Sequence, residues 1–264
     1  MTSLLENPVL KSNFSTTEYA TIESGFSSVT NHIGILSQYI QKKILPHINK
    51  GSFLDIGAGP GFIARELLSH FNEAIALDPN DCYESYYSSS DAFDKLRFVN
   101  KNFESADFNK QFDFILCSHV LYHVPQNYWS VFIQKILKLL SKKGKALLTL
   151  VAARGQFHDL CDQINHNYSN SQVLKSILKE IGVDYKTSKI RSSYFYKDVQ
   201  EITNLLKMFV IDDCFLPEEY ASLPDREVIA IDQRIAKFVD NCYDQEKNLY
   251  TFQIDEDYLQ LHAD

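Results

Sequence analysis

The chain of 264 residues is poor in cysteine and lacks a long apolar run. Its five cysteines are an odd number, lie far apart and form no C-x-x-C pair, which argues against a disulfide framework or a zinc knuckle. No stretch approaches the roughly 18 apolar residues that a membrane-spanning helix requires. The N-terminus has no basic segment followed by an apolar one, so it is not a secretory signal. These absences predict a cytoplasmic protein without a membrane partner.

An excess of positive charge is also absent. The formal net charge is −8, and basic clusters such as 141–145 are short. Because nucleic-acid binding needs a basic face, a nucleic acid is not the expected partner. We expect a small-molecule substrate and a monomer, although nothing in the sequence fixes the oligomeric state.

Apolar segments with strand and helix periodicity alternate along the chain. Helical spacing runs from Thr21 to Leu45, with Pro46 as a stop, and further helices fall between the predicted strands. This alternation predicts an α/β fold with a mainly parallel, doubly wound sheet. The predicted strands are SFLDIG, EAIALD, LRFVNKNF, FDFILCS, GKALLTLVAA, DYKTSKIRSSYFY and one or two within NLYTFQIDEDYLQLHA.

Glycine is scarce, yet three of the nine glycines lie within the stretch FLDIGAGPGF, directly after the first predicted strand. Ligands bind at this edge of such sheets, and glycine lets the backbone turn tightly and approach a ligand closely. The third glycine comes one residue too early for the dinucleotide pattern G-x-G-x-x-G, and the G-K-[ST] of the P-loop is absent. A tight strand–helix turn without any ligand is the alternative.

An acidic residue followed by G-x-G-x-G resembles the first motif of class I methyltransferases that use S-adenosylmethionine. The resemblance implies a Rossmann-like, seven-stranded sheet that is mostly parallel with one antiparallel strand, together with extra helices. It also implies an N-terminal helical lid at 1–48 and a methyltransferase domain at 49–264, with helical insertions around 156–240.

The same resemblance assigns the cofactor site. The glycine loop would pass under the methionine and ribose, Asp55 would face the ammonium group, and Asp78 would accept both ribose hydroxyls. Asn102 stands where the family usually has an aspartate that contacts adenine, and Phe103 is placed to stack on the ring. The implied cofactor-binding residues are Asp55, Gly57, Ala58, Gly59, Gly61, Asp78, Pro79, Asn102, Phe103 and Ser118.

Beyond this core, the chain resembles the histamine N-methyltransferase family in its N-terminal helix, in HVLYHV and in EITNLLKMFVIDDCF. In that family an acid just before a histidine contacts the substrate amine. Asn31 precedes His32 here, so the acid is missing. His119 stands in place of a family glutamine, and Gln253 is the nearest match to a family amide. The implied catalytic residues are His119, Asn31 and His32.

Aromatic residues supply candidate walls for a small-molecule pocket, although ordinary core packing is the alternative for each of them. For His123, the alternative to substrate binding is a packing role behind the cofactor loop. His119 and His123 lack the glutamate of the H-E-x-x-H zinc motif, so no metal is predicted. The predicted substrate-binding residues are Tyr19, Phe26, Tyr122, His123, Phe157, Phe215 and Gln253.

The predicted function is N-methylation of a small amine or imidazole-type acceptor by S-adenosylmethionine. Methylation of a carboxyl or hydroxyl oxygen is an alternative, because the missing acid at Asn31 permits an acidic substrate. A cofactor-binding protein without turnover is a third possibility, raised by the departures at Asn31 and Asn102.

Overall fold

A computed structural model describes residues 20–22, 25, 28–87 and 95–262. The strands are β1 (Ser52–Ile56), β2 (Glu73–Asp78), β3 (Leu96–Asn100), β4 (Phe112–Ser118), β5 (Leu140–Val151), β6 (Lys186–Tyr196), β7 (Tyr243–Asp244) and β8 (Leu249–His262). The α-helices are α1 (His32–Tyr39), α2 (Phe62–Leu67), α3 (Glu84–Tyr87), α4 (Trp129–Leu139), α5 (Gln156–Ile164), α6 (Ser171–Glu180), α7 (Val199–Cys214), α8 (Pro217–Ala221) and α9 (Asp225–Asn241).

The strands form one sheet in the order β3-β2-β1-β4-β5-β8-β6, and the two-residue β7 pairs with β8. Strands β1 to β5 pair in parallel. β8 runs antiparallel between β5 and β6. The predicted α/β fold, with a mostly parallel sheet and one antiparallel strand, is confirmed. The strand order reverses between β1 and β4, and ligands of doubly wound sheets bind at the carboxyl ends of the strands at such a switch point.

Helices cover both faces of the sheet because alternate residues of a buried strand point to opposite sides. In β1, Leu54 and Ile56 belong to the core under α4 and α6. Phe53 belongs to the core under α1 and α2, and its ring centroid lies 5.2 Å from that of Phe114 in β4. A third core joins α5, α7 and α9 to β6 and β8. The sheet edge at the carboxyl ends of the parallel strands is therefore supported by three packed layers, with helices on both faces of the sheet.

The segment predicted as one helix from Thr21 to Leu45 is interrupted: residues 20–22 and 25 are helical, but residues 28–31 are not. α1 begins only at His32 and is followed by a π-helical turn, Ile40–Ile44, and a 3-10 turn that contains Pro46.

Hydrogen bonds to the edge of the sheet explain the late start of α1. Thr30 Oγ1 donates to the carbonyl of Ser193 over 3.0 Å, and Asn31 Oδ1 accepts from the amide of Ser193 over 2.8 Å. Thr30 also forms a β-bridge with Tyr194 of β6. These contacts hold residues 28–31 out of the helical conformation, and they anchor α1 beside the sheet.

Among the described residues, no helix is long and apolar enough to cross a membrane. All five cysteines are free thiols, in agreement with the prediction of no disulfide framework.

The core around Phe114 provides a stability test. Its side chain is fully buried, so Phe114→Ala should lower the free energy of unfolding by about 3–5 kcal/mol, through lost burial and the cavity left behind. Phe195 is 46% exposed, and Phe195→Ala should change that free energy by no more than about 0.5 kcal/mol. Urea denaturation of both variants measures the difference. Equal losses of stability in the two variants would contradict the burial of Phe114 and the exposure of Phe195.

Candidate active site

Two joined cavities open at the switch point of the sheet. The first cavity, of about 500 Å³, lies over the ends of β1 and β2. The second cavity lies between α1, α7 and the segment that follows β4. Gly57, Ser118, His119 and Tyr122 line both. A molecule in the first cavity can therefore reach a molecule in the second past these four residues.

The loop between β1 and α2 requires its glycines. Gly57, Gly59 and Gly61 have φ angles of 67°, 51° and 80°, in the left-handed region that favours glycine. A Cβ atom at Gly57 would also collide with the side chain of Val120. At Gly61 it would lie 2.5 Å from the Tyr87 hydroxyl. The bare backbone is thus a steric requirement of the loop as well as a surface for a ligand.

The carboxylate of Asp78 holds this loop in place and faces the first cavity. Its Oδ2 accepts from the Gly59 amide and its Oδ1 from the Asn80 amide, each over 2.9 Å. A carboxylate oxygen has two acceptor sites, so each retains one for a ligand. Burial raises the pKa of Asp78 to about 6, against the lowering effect of the two amides. Burial, and then the charge of Asp78, raise the pKa of Asp55 to about 8.

The far wall of the first cavity is formed by Pro79, Asn102, Phe103 and His123. The Phe103 ring is buried and packs at 4.6 Å from Phe132. Burial, and then the proximity of His119, lower the pKa of His123 to about 3, so its imidazole is neutral at physiological pH. This wall offers a flat apolar surface beside an amide, which suits a heteroaromatic ring with polar edges.

Two imidazoles and one carboxylate meet at the second cavity. His119 Nε2 lies 2.9 Å and His32 Nδ1 3.1 Å from the same oxygen, Oε1 of Glu256. The Ser192 hydroxyl donates to the other oxygen of Glu256 over 3.1 Å. Burial alone would raise the pKa of Glu256, but the charges and hydrogen bonds of His32 and His119 hold it well below its usual value. We call His32, His119 and Glu256 the HHE cluster.

His119 is held in an unusual backbone conformation. Its φ is 57°, a region that non-glycine residues seldom adopt. Its amide donates to the carbonyl of Thr149 in β5 over 3.1 Å, which fixes the turn. Strained backbone of this kind is concentrated at functional sites.

The rest of the second cavity is acidic and aromatic. Asp55, Asp212 and Asp213 line it, and none of the described residues that line it is a lysine or an arginine. Burial, and then Asp212 and Glu256, raise the pKa of Asp213. Its Oδ1 has no hydrogen-bond partner among the described residues. The aromatic walls come from Phe62, Tyr122, Tyr194 and Phe209.

Most predicted cofactor residues lie together around these cavities. Asp55, Gly57, Ala58 and Ser118 line the second cavity, and Gly57, Asp78, Pro79, Asn102, Phe103 and Ser118 line the first. Gly59 and Gly61 shape the loop between them. His32, His119 and Tyr122 line the second cavity, and Tyr122, His119 and His123 line the first. Their individual roles stay predictions.

Other predicted residues do not line the two cavities. Asn31 uses its amide oxygen to hold Ser193, and Gln253 lies exposed beside Ser193. Phe157 is buried behind the second cavity, with its ring 6.3 Å from Phe209. Phe215 lines a separate depression next to Tyr122. Tyr19 and Phe26 lie outside the described residues.

Sequence reasoning missed Glu256, Tyr194 and Asp213. Glu256 had a visible signal, because three consecutive acids in IDEDYL interrupt an otherwise apolar strand. Successive strand residues point to opposite faces, so one of three consecutive acids in a covered strand must meet buried partners. Tyr194 and Asp213 had no comparable signal, since each sits in a segment that reads as ordinary packing.

Comparison with known proteins settles the family. A family model described as a methyltransferase domain matches residues 33–186, more than half of the chain. The chain belongs to this methyltransferase family. Its methyl donor is S-adenosylmethionine, which supplies a methyl group already activated on a sulfonium.

The residues of the first cavity fit this donor. Asp78 retains acceptor sites for a ribose diol, and Phe103 and Asn102 offer a surface for adenine. The glycine loop leaves room against the backbone, and the positive charge of a sulfonium and an ammonium group would favour the ionised forms of Asp55 and Asp78.

The curated relatives are methyltransferases of modest similarity. A ubiquinone biosynthesis O-methyltransferase of Rickettsia conorii is 26% identical over 143 residues, 52% of this chain and 47% of that protein. The protein of the same name from Rickettsia bellii is 30% identical over 119 residues, 43% of this chain and 48% of that protein. The chain thus spans about half the length of the curated relatives it matches.

Solved structures share the fold. The YcgJ protein of Bacillus subtilis superposes with a TM-score of 0.57 and 16% identity, covering 88% of this chain and 98% of that one. A putative methyltransferase of Bacillus halodurans gives a TM-score of 0.57 and 13% identity, covering 87% of this chain and 98% of that one. The common architecture supports the assignment of the sheet as a Rossmann-like methyltransferase sheet.

Asp78, the predicted ribose ligand, should make cofactor binding depend on pH. With a pKa of about 6 in the free protein, Asp78 is protonated below that pH and loses acceptor sites for the ribose. Affinity for S-adenosylhomocysteine should therefore fall as the pH drops from about 7.5 to about 5. Asp55, with its pKa of about 8, stays mostly neutral over this window in the free protein.

Calorimetric titration of the wild type and of Asp78→Asn tests this dependence. The variant should bind more weakly by about 1.5–3 kcal/mol at neutral pH, the scale of hydrogen bonds to a charged group. Its affinity should also change little across the window. An equally steep pH profile in the variant would assign the dependence to another group.

Proposed function

We propose that this enzyme methylates a hydroxyl oxygen of a small, uncharged acceptor that binds in the second cavity. The observation that carries the proposal is the contact of His119 with the buried Glu256, at the place where the two cavities meet. The transfer breaks the carbon–sulfur bond, leaves its electron pair on sulfur and forms a carbon–oxygen bond. The hydroxyl proton has to leave, and the HHE cluster is placed to promote that loss.

The residues that line the second cavity restrict the chemical class of the acceptor. Three aspartates line it without a lysine or arginine among the described residues. A carboxylate would find no cation to bind there, so the carboxyl version of the O-methylation alternative is disfavoured. A neutral alcohol, enol or phenol needs no such cation. The O-methyltransferase names of the Rickettsia relatives support oxygen as the accepting atom.

Methylation of an amine nitrogen, the function predicted from the sequence, is the second candidate. The observation in its favour is Asp213, whose buried carboxyl lines the second cavity with Oδ1 unsatisfied by described residues. A cationic ammonium group would satisfy it, and the aromatic walls suit an alkylammonium as well. The resemblance to the histamine N-methyltransferase family belongs with this candidate.

The two candidates are separated by the product. The enzyme is incubated with labelled S-adenosylmethionine and with panels of phenols, alcohols and amines, and the products are identified by mass spectrometry. We expect labelled methyl ethers from a phenol or an alcohol. His119→Ala should lower kcat about 10²- to 10⁴-fold, the range for loss of a proton-transfer group, with little change in cofactor affinity. The exposed His47 serves as control, and His47→Ala should leave kcat unchanged.

Methylated amines as the only products would contradict oxygen methylation and support the second candidate. In that case Asp213→Asn should raise KM for the amine. The lid role of 1–48, the monomeric and cytoplasmic state, and the lack of a nucleic-acid partner remain predictions.

A further inference from the structure

The HHE cluster gathers ligand atoms from three separate parts of the chain. His32 lies at the start of α1, His119 follows β4, and Glu256 lies in β8 opposite Val151 of β5. The two imidazole nitrogens and one carboxylate oxygen all lie within 4.8 Å of one another. Glu256 and His32 are buried, whereas the His119 side chain is 24% exposed, so the group borders the second cavity.

The distances match those between ligands on one ion. Metal–nitrogen and metal–oxygen bonds of about 2.0–2.2 Å place neighbouring ligand atoms about 3–3.5 Å apart, with the shorter distances in octahedral geometry. The nitrogens of His119 and His32 lie 2.9 and 3.1 Å from Glu256 Oε1. Two imidazoles with one carboxylate form a ligand set used for divalent iron, cobalt, nickel and zinc, and three protein ligands leave coordination positions open.

The residues around the HHE cluster hold its three side chains in the orientation that a metal site needs. Ser192 Oγ lies 3.1 Å from Glu256 Oε2, the carboxylate oxygen other than the one beside His32 and His119. Contacts of this kind orient metal ligands in proteins. The left-handed backbone of His119 aims its ring at Glu256 at a conformational cost. A fully buried carboxylate is also costly unless cationic or metal partners surround it.

We propose that His32, His119 and Glu256 bind one divalent transition-metal ion, whose open position takes the hydroxyl oxygen of the acceptor. This catalytic role rests on the proposed oxygen methylation. Coordination to the ion lowers the pKa of the hydroxyl, and its proton passes to solvent in the cavity. The resulting oxygen anion keeps a lone pair with which it attacks the methyl group. A metal-bound amine has no lone pair left, so the site selects an oxygen acceptor. The inference departs from the sequence prediction of no metal.

Metal binding can be measured without any substrate. The full chain is stripped with a chelator, dialysed and titrated with Co²⁺, and the visible absorption of the bound ion is followed. Zn²⁺ retained after desalting is counted by mass spectrometry. We expect one equivalent per chain and a Co²⁺ spectrum typical of nitrogen and oxygen ligands.

Variants locate the site. His119→Ala and Glu256→Gln should each weaken Co²⁺ binding at least tenfold, and Glu256→Gln preserves the shape of the buried side chain. The matched control is His166→Ala, because His166 pairs with Asp162 on the exposed surface over 2.8 Å. The His166→Ala variant should bind Co²⁺ with the affinity of the wild type. Circular dichroism and S-adenosylhomocysteine binding report whether each variant is folded.

The outcomes separate this inference from the proposed function. No retained ion, or equal binding by the wild type, His119→Ala and Glu256→Gln, would overturn the metal site. Full formation of methyl ethers by the chelated enzyme would overturn its catalytic role and leave oxygen methylation standing. A bound ion with methylated amines as the only products would overturn oxygen methylation and, with it, the role of the ion.

Discussion

The side of the site at the second cavity depends on one buried carboxylate, Glu256. It lies on the antiparallel strand β8, yet its oxygens meet His32 from α1 and His119 from the segment after β4. An unpaired carboxylate in this position would be strongly destabilising. The same contacts that satisfy Glu256 therefore fix α1 against the sheet and aim His119 at the junction of the two cavities. Fold and site share these interactions, so neither is independent of the other.

A second carboxylate, Asp78, plays the corresponding part at the first cavity. Its hydrogen bond from the Gly59 amide ties the end of β2 to the loop after β1. That loop can adopt its path only with glycine, because φ is positive at three positions and a side chain at Gly57 would strike Val120. The reversal of strand order at β1 and β4 then brings the two carboxylate-centred regions side by side. Gly57, Ser118 and His119 line both cavities at this boundary.

The sequence predicted which residues gather at the first cavity far better than it predicted the HHE cluster, for a physical reason. Gly57, Asp78 and Asn102 follow strand ends, and parallel strands place such residues at one edge of the sheet whatever lies between them. The HHE cluster instead depends on the long-range register of β8 against β5 and on the place where α1 begins. Local periodicity carries no information on that register. It also missed the break in the helix at residues 28–31, because the bonds of Thr30 and Asn31 to β6 are invisible in the sequence.

The most direct test of the account is a crystal structure of the enzyme with S-adenosylhomocysteine. The account predicts the ribose hydroxyls on Asp78, the adenine against Phe103 and Asn102, and the sulfur at Gly57, facing His119 and the second cavity. A nucleoside bound away from Asp78, or a sulfur turned away from the HHE cluster, would contradict it.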